Sequence, residues 1–325
     1  MTSTTMNQAE EKSQATVLPG RRRWLIRSLL VIAAATDILI AGAMLWNVVA
    51  TRAVATVYPP RGQFVDVGGA QMHVICRGAG EPTLVMQGGI AGGALDWLPV
   101  MEELASTHRV CAFDRLGQDW SDPAPAPRTF ATAADEWHVA LEALGIQEPV
   151  VVGHALGGAV VQLYAAEYPI QGVILIDGLT AAAAGEVTQR LANYRTLDGL
   201  ARLGLLRPMG GLFADRAYDA ALRREMSALR ARSRALLSVT DEGALAAASL
   251  PAALRAAEAR LDAPLLIIAA GQSELPEADL FLEGLRALAV EHANAEFVEV
   301  PDATHYVIAS HPQLVGETIE RWLSQ

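Results

Sequence analysis

Six short apolar runs are spaced along the chain: PTLVMQGG (82–89), HRVCAFDR (108–115), PVVVGHA (149–155), GVILIDG (172–178), PLLIIAAG (264–271) and AEFVEVPD (295–302). Most are continuous in Val, Ile and Leu rather than alternating with polar residues, as expected of strands covered on both faces. The stretches between them keep helical spacing of their apolar residues. Buried strands separated by helices define an α/β fold, with a mostly parallel sheet and helices on both sides. Two earlier runs, GQFVDVGG (62–69) and AQMHVICRG (70–78), read as a hairpin turning at Gly68-Gly69. In such a sheet the loops at the carboxyl ends of the strands carry the chemistry.

One of these loops stands out. PVVVGHALGGAVVQLYAAEYP (149–169) reads as a buried strand, a tight glycine turn and a helix. At a nucleophile elbow of this kind the pattern is glycine, any residue, serine, any residue, glycine, with the hydroxyl thrust up as the attacking group. Here the order is Gly153, His154, Ala155, Leu156, Gly157. A methyl group stands where the attacking oxygen belongs.

Composition excludes some partners and suggests one. The 325 residues carry a formal net charge of −11, and no basic stripe runs along the body, which argues against nucleic acid. The positive charge gathers instead near the N-terminus, at Arg21, Arg22, Arg23 and Arg27, with Lys12 before them. An apolar stretch follows, interrupted between Leu29 and Ala50 by Thr36, Asp37 and Asn47 and long enough to span a bilayer. Trp24 and Trp46 would lie roughly 33 Å apart on a helix, near its two interfaces. Only Arg52 and Arg61 follow soon after, so the positive-inside rule puts the N-terminus in the cytoplasm and the body outside. A cleaved signal peptide is the competing reading, with Ala53 and Ala55 as an A-x-A site, but the apolar stretch is long for one.

The expected layout is therefore a disordered cytoplasmic tail with a basic flank (1–28), a transmembrane helix (29–50), a linker (51–60) and a catalytic-type domain (61–325). Within that domain the stretch at about 180–260 reads as helical, and the fold family that the motifs below resemble implies a cap there. Leu203, Leu205, Leu206, Met209, Leu212 and Phe213 could line an apolar pocket under the cap, or simply glue it to the core.

Taken together, Gly88-Gly89 after the third strand, DWLPVMEELASTHRVCAFDRLGQDWSDP (96–123), VVGHALGG (151–158) and PDATHYVIASHPQLV (301–315) resemble the α/β-hydrolase fold family over about residues 61–325. Within that family the chain is similar to membrane-anchored bacterial hydrolases whose domain begins with a Tyr-Pro-Pro stretch, here Tyr58-Pro59-Pro60. The resemblance implies serine esterase, lipase or amidase chemistry on a small apolar ligand or ester, with no cofactor and no metal. It puts the nucleophile position at Ala155 and the base at His305. The acid falls at Glu274, three residues after Gly271, with Asp177 as the alternative. The backbone N–H groups of Gly89 and Leu156 would form the oxyanion hole, and Gln87 replaces the histidine common before that glycine pair.

His154 reads as packing inside the elbow, and Asp114 and Arg115 as braces for a loop. Alanine cannot form a covalent acyl intermediate, so the chain as written is expected to be inactive or nearly so in acyl transfer. Three readings stay open. The chain is a non-catalytic relative that binds a ligand or partner; or it is an active esterase with its serine replaced; or His305 acts as a general base directly on water. The two cysteines, Cys76 and Cys111, fall on strands that this fold places side by side, so a disulfide and a pair of buried thiols are both open.

Overall fold

β1 (Gln63–Asp66) and β2 (Gln71–Arg77) form the expected antiparallel hairpin, and β2 pairs antiparallel with β4 (Val110–Phe113). From there every pairing is parallel, through β3 (Leu84–Gln87), β5 (Val150–His154), β6 (Gly172–Ile176), β7 (Leu265–Ala270) and β8 (Ala295–Val300). The strand order across the sheet is β1-β2-β4-β3-β5-β6-β7-β8. This is a computed structural model, and it describes residues 19–124, 129–193, 196 and 198–325. The expected tail up to residue 18, with Lys12, lies outside the described residues, as does the side chain of Phe213.

Strand periodicity sorts the core into two layers. Val85, Cys111, Phe113, Val151, Val173, Leu175, Leu265 and Ile267 face one layer. It is closed by α3 (Phe130–Ala143), α4 (Leu156–Glu167), α5 (Ala181–Ala192), α9 (Ala278–Glu291) and the last turns of α8 (Ser233–Glu258). Leu84, Met86, Val110, Ala112, Val152, Ile174, Ile176, Leu266 and Ile268 face the other layer. There α2 (Leu98–Leu104), α7 (Ala220–Arg230), α10 (Val307–Ser310) and α11 (Pro312–Leu323) close it. The short α6 (Asp198–Arg202) precedes a 3₁₀ segment, Arg207–Phe213. Much of the expected cap is thus ordinary core: Ala183, Ala184, Val187, Leu250 and Leu254 are buried in the first core layer.

The chain divides into two units, 1–46 and 47–325. α1 (Pro19–Val57) runs from the first into the second, and its part from Arg22 to Val57 is long and apolar enough to cross a membrane. Residues 51–57, expected as linker, instead continue this helix. Asn47, Thr51, Val54 and Tyr58 recur at spacings that fall on one helix face. Val54 is buried in the second core layer, Tyr58 packs against it, and the Tyr58 N–H donates to Val54 O at 2.8 Å. Burial of that stripe keeps the helix wound to Val57.

Cys76 and Cys111 are directly opposite in the β2–β4 register, their Cα atoms 4.1 Å apart, and they form a disulfide. The bridge closes a loop of 35 residues and ties the hairpin to the main sheet. Cys111→Ala should lower unfolding stability by about 2–4 kcal/mol in urea titrations of the oxidised protein. Thiol titration of the denatured, unreduced chain should find no free thiol.

Candidate active site

The turn from β5 to α4 is dictated by close approach. A Cβ on Gly157 would sit 2.2 Å from the Gln87 carbonyl oxygen, and one on Gly153 would sit 2.7 Å from the Gly158 Cα. The helix can therefore start this near the sheet only with glycine at those places. Between them Ala155 adopts φ 49° and ψ −121°, a backbone that residues with a side chain rarely take. Three hydrogen bonds hold it there: Ala155 N–H to Ile176 O at 3.3 Å, and Ala155 O accepting from Gly158 N–H at 2.9 Å and Leu179 N–H at 2.8 Å. Strain of this kind costs on the order of 1–3 kcal/mol and gathers at functional sites.

Facing the elbow, His305 Nδ1 lies 2.6 Å from Asp177 Oδ2. The Asp177 backbone is itself anchored, its N–H donating to Ile268 O at 2.7 Å, and its Oδ1 accepts from Ala270 N–H at 3.2 Å. The carboxylate that meets His305 is therefore the alternative, Asp177, and not Glu274. Glu274 lies on an exposed loop beyond β7, with no hydrogen bond to His305. β6 and β7 are neighbours in the sheet, so a carboxylate at the end of either can approach the same histidine, and motif spacing alone does not choose between them.

His154 donates from Nε2 to His305 O at 2.9 Å and stacks obliquely on it, ring centres 4.8 Å apart. Burial, and then the neighbouring His305, push its pKa down to about 3, so it is a neutral donor that fixes the His305 backbone. Its packing role is the expected one.

Gly89 reaches the elbow from β3, since a Cβ built on it would stand 3.0 Å from the Ala155 Cβ. Arg115 holds this loop from behind, donating to Gly88 O at 2.5 Å and Gly89 O at 2.8 Å. In a trans peptide C=O and N–H point to opposite sides, so fixing Gly88 O on Arg115 turns the Gly89 N–H away from it. Leu156 begins α4, where its N–H has no acceptor within the helix. Both expected oxyanion donors thus flank Ala155.

A cavity of about 30 Å³ lies between these groups, lined by Gly89, Ile90, Gly92, Asp96, His154, Ala155, Arg230, His305 and Tyr306. Of the cap residues expected to line a pocket, Leu203, Leu205, Leu206, Met209 and Leu212 are not among them. Leu205 and Leu212 are exposed instead, and Leu203, Leu206 and Met209 half-buried. The cap sends in Arg230, whose Nη2 pairs with Asp96 Oδ2 at 2.6 Å and lies 3.5 Å from Asp119 Oδ2. Tyr218 OH donates to Asp96 O at 3.1 Å, and Arg232 donates to Asp119 O and covers the Trp120 ring. Arg230, Asp96 and Tyr306 were not legible as site residues. Arg230 sits among many arginines in RREMSALRARSR (223–234), and only the tertiary fold picks it out. Asp114 is a brace as expected, accepting from Ala94 N–H at 2.6 Å and Trp120 N–H at 3.0 Å beside His73 at 2.8 Å.

A glycine turn over a parallel sheet, with a histidine–carboxylate pair above it and two backbone donors beside it, is the site plan of a hydrolase fold. Residues 82–312 match the family model described as alpha/beta hydrolase fold, and the chain belongs to that family. Among sequence relatives, a protein of Azorhizobium caulinodans with the provisional name carbamate hydrolase RutD is 32% identical over 117 residues, 35% of this chain and 44% of that one. The chain spans less than half the length of the curated relatives first in similarity. Among solved structures, Cfl2 of Burkholderia cenocepacia superposes with a TM-score of 0.68 at 21% identity, over 80% of this chain and 94% of that one. The enol-lactonase of Burkholderia xenovorans superposes with a TM-score of 0.63 at 20% identity, over 81% of this chain and all (100%) of that one. At these identities the structural likeness concerns the fold alone.

Two outcomes follow from the geometry. Ala155→Gly relieves the strained backbone at some cost in chain entropy, and should raise stability by about 1 kcal/mol in denaturant titration. Asp119 is held protonated by burial against the pull of Arg230, with Asp114 and Asp96 adding to the rise and Arg232 opposing it, and its pKa reaches about 7. Between the usual carboxylate range and 7 the folded state holds a proton that the unfolded state has lost, so this group makes stability fall as pH rises through that window. Asp119→Asn should remove that slope, gaining on the parent at pH 8 relative to pH 5 in paired urea titrations.

Proposed function

We propose that the chain is a membrane-held α/β-hydrolase family protein, with the site plan of a serine ester or amide hydrolase, that cannot form an acyl-enzyme. The observation that carries this reading is Ala155, in the strained elbow conformation beside the His305–Asp177 pair. In this reading His305 is the base, Asp177 orients it and stabilises its charged form, and the N–H groups of Gly89 and Leu156 receive the developing oxyanion. Glu274 has no part in it. Only the oxygen that would attack is missing, so the chain as it stands binds rather than turns over.

One further observation favours a minor route. The cavity beside Ala155, about 30 Å³, is wide enough for one water and has His305 in its wall. Any slow hydrolysis goes through such a water with His305 as general base, and disappears in His305→Ala.

The outside placement of the body is supported by the basic flank before α1 and by the Cys76–Cys111 bridge, which a reducing cytoplasm would disfavour. Two free thiols in protein taken directly from its membrane would place the body inside.

Short-chain aryl ester assays test the site. The chain as written should show at most trace hydrolysis and no burst. Ala155→Ser should restore turnover and labelling by a fluorophosphonate. In that serine background Asp177→Asn should cut kcat by on the order of 10³–10⁴-fold, with Glu274→Gln nearly silent. No turnover in the serine variant would sink the intact-machinery reading.

A further inference from the structure

The segment from α6 through the 3₁₀ turn packs against the end of α1. Arg207 donates from Nη1 to Asn47 Oδ1 at 2.9 Å and to Thr51 Oγ1 at 3.2 Å, and Asn47 Nδ2 donates to Arg202 O at 3.5 Å. Gly204, at φ 73°, lies so close that a Cβ there would stand 2.8 Å from Asn47 Cγ. These contacts hold residues 202–207 against Asn47 and Thr51.

The same segment exposes three large apolar side chains: Leu200 at 42%, Leu205 at 55% and Leu212 at 71%. Leu205 N–H donates to Leu200 O at 3.0 Å, so these two share one turn. Arg202, on the same turn, is exposed as well. Isolated surface leucines need no explanation. Leucines grouped with a cation, on a segment tied to the residue where a membrane helix would leave the bilayer, fit an interfacial surface.

We propose that residues 200–212 rest on the bilayer, with Leu205 and Leu212 at the acyl boundary and Arg202 among anionic phospholipid headgroups. The inference rests on the reading of α1 as a membrane span. It makes the cap a second point of attachment, and two of the side chains expected to line a pocket, Leu205 and Leu212, become ones that meet lipid.

The bridged native cysteines leave an introduced thiol as the single labelling site. The full chain is placed in nanodiscs of phosphatidylcholine with a minority of phosphatidylglycerol, carrying a nitroxide at Leu205→Cys, Leu212→Cys, Leu39→Cys or Val290→Cys. Leu39 lies within the apolar stretch. Val290, 87% exposed, lies at the end of α9 shortly before β8 begins, away from the site. Collision with a water-soluble nickel chelate should be at least about fivefold lower at 205 and 212 than at 290, with oxygen access raised, as for side chains in an interface. Arg202→Glu should raise nickel access at 205. Labels at 205 and 212 as wet as 290, with 39 in hydrocarbon, overturn the surface and leave the span standing. A wet label at 39 overturns the span and the surface with it. Unchanged access at 205 in Arg202→Glu overturns the headgroup role of Arg202.

Discussion

The strained peptide at Ala155 depends on how closely β3, β5 and α4 approach one another. Gly153 and Gly157 remove the Cβ atoms that would keep the helix off the sheet, and the backbone then has one way to leave β5 and enter α4. That turn starts α4 at Leu156, directly after residue 155, and brings Gly89 alongside. Helix, sheet and site share this one constraint. It acts through backbone sterics and is indifferent to whether residue 155 carries a hydroxyl. A methyl side chain at that position therefore leaves the architecture in place.

Above the elbow, a buried charge cluster joins the cap to the core alongside the apolar packing of Leu222, Met226 and Leu229. Arg230 enters a cavity wall otherwise supplied by the core, and meets Asp96 and Asp119 where water is excluded. Burial disfavours every ion in this cluster, and the arrangement is tolerable because each is compensated: Asp96 by Arg230 and Gly93 N–H, Asp114 by His73 and two backbone donors, Asp119 by taking up a proton. A pair of this kind contributes less net stability than a well-packed apolar contact of the same size. Leu205 and Leu212 are left outside, on the segment tied to Asn47 and Thr51.

The sheet and its helices were legible because burial on both faces leaves a direct mark on the residues, in unbroken Val, Ile and Leu runs. The elbow was legible because steric exclusion admits only glycine at Gly153 and Gly157. The hairpin, the neighbouring of Cys76 and Cys111, and the packing role of His154 follow from the same local signals joined to the family's strand order. The end of α1 was misjudged at 51–57, since a Tyr-Pro-Pro stop lies at 58–60 and the burial of Val54 that extends the helix is a tertiary contact.

By itself, the sequence determined the α/β architecture, the sharp turn after β5 with an alanine, Ala155, at its apex, and an N-terminal helix able to cross a bilayer. Each of these is written in local composition: apolar runs, glycines, one methyl side chain, one long apolar stretch. Only the tertiary structure decided that His305 turns to Asp177 rather than Glu274, that Arg230 and Asp96 wall the cavity, and that Leu205 and Leu212 face outward. Those outcomes depend on which strand ends lie side by side and how α7 is rotated over them. Residues far apart in sequence meet there through packing that leaves no periodic or compositional mark on the chain.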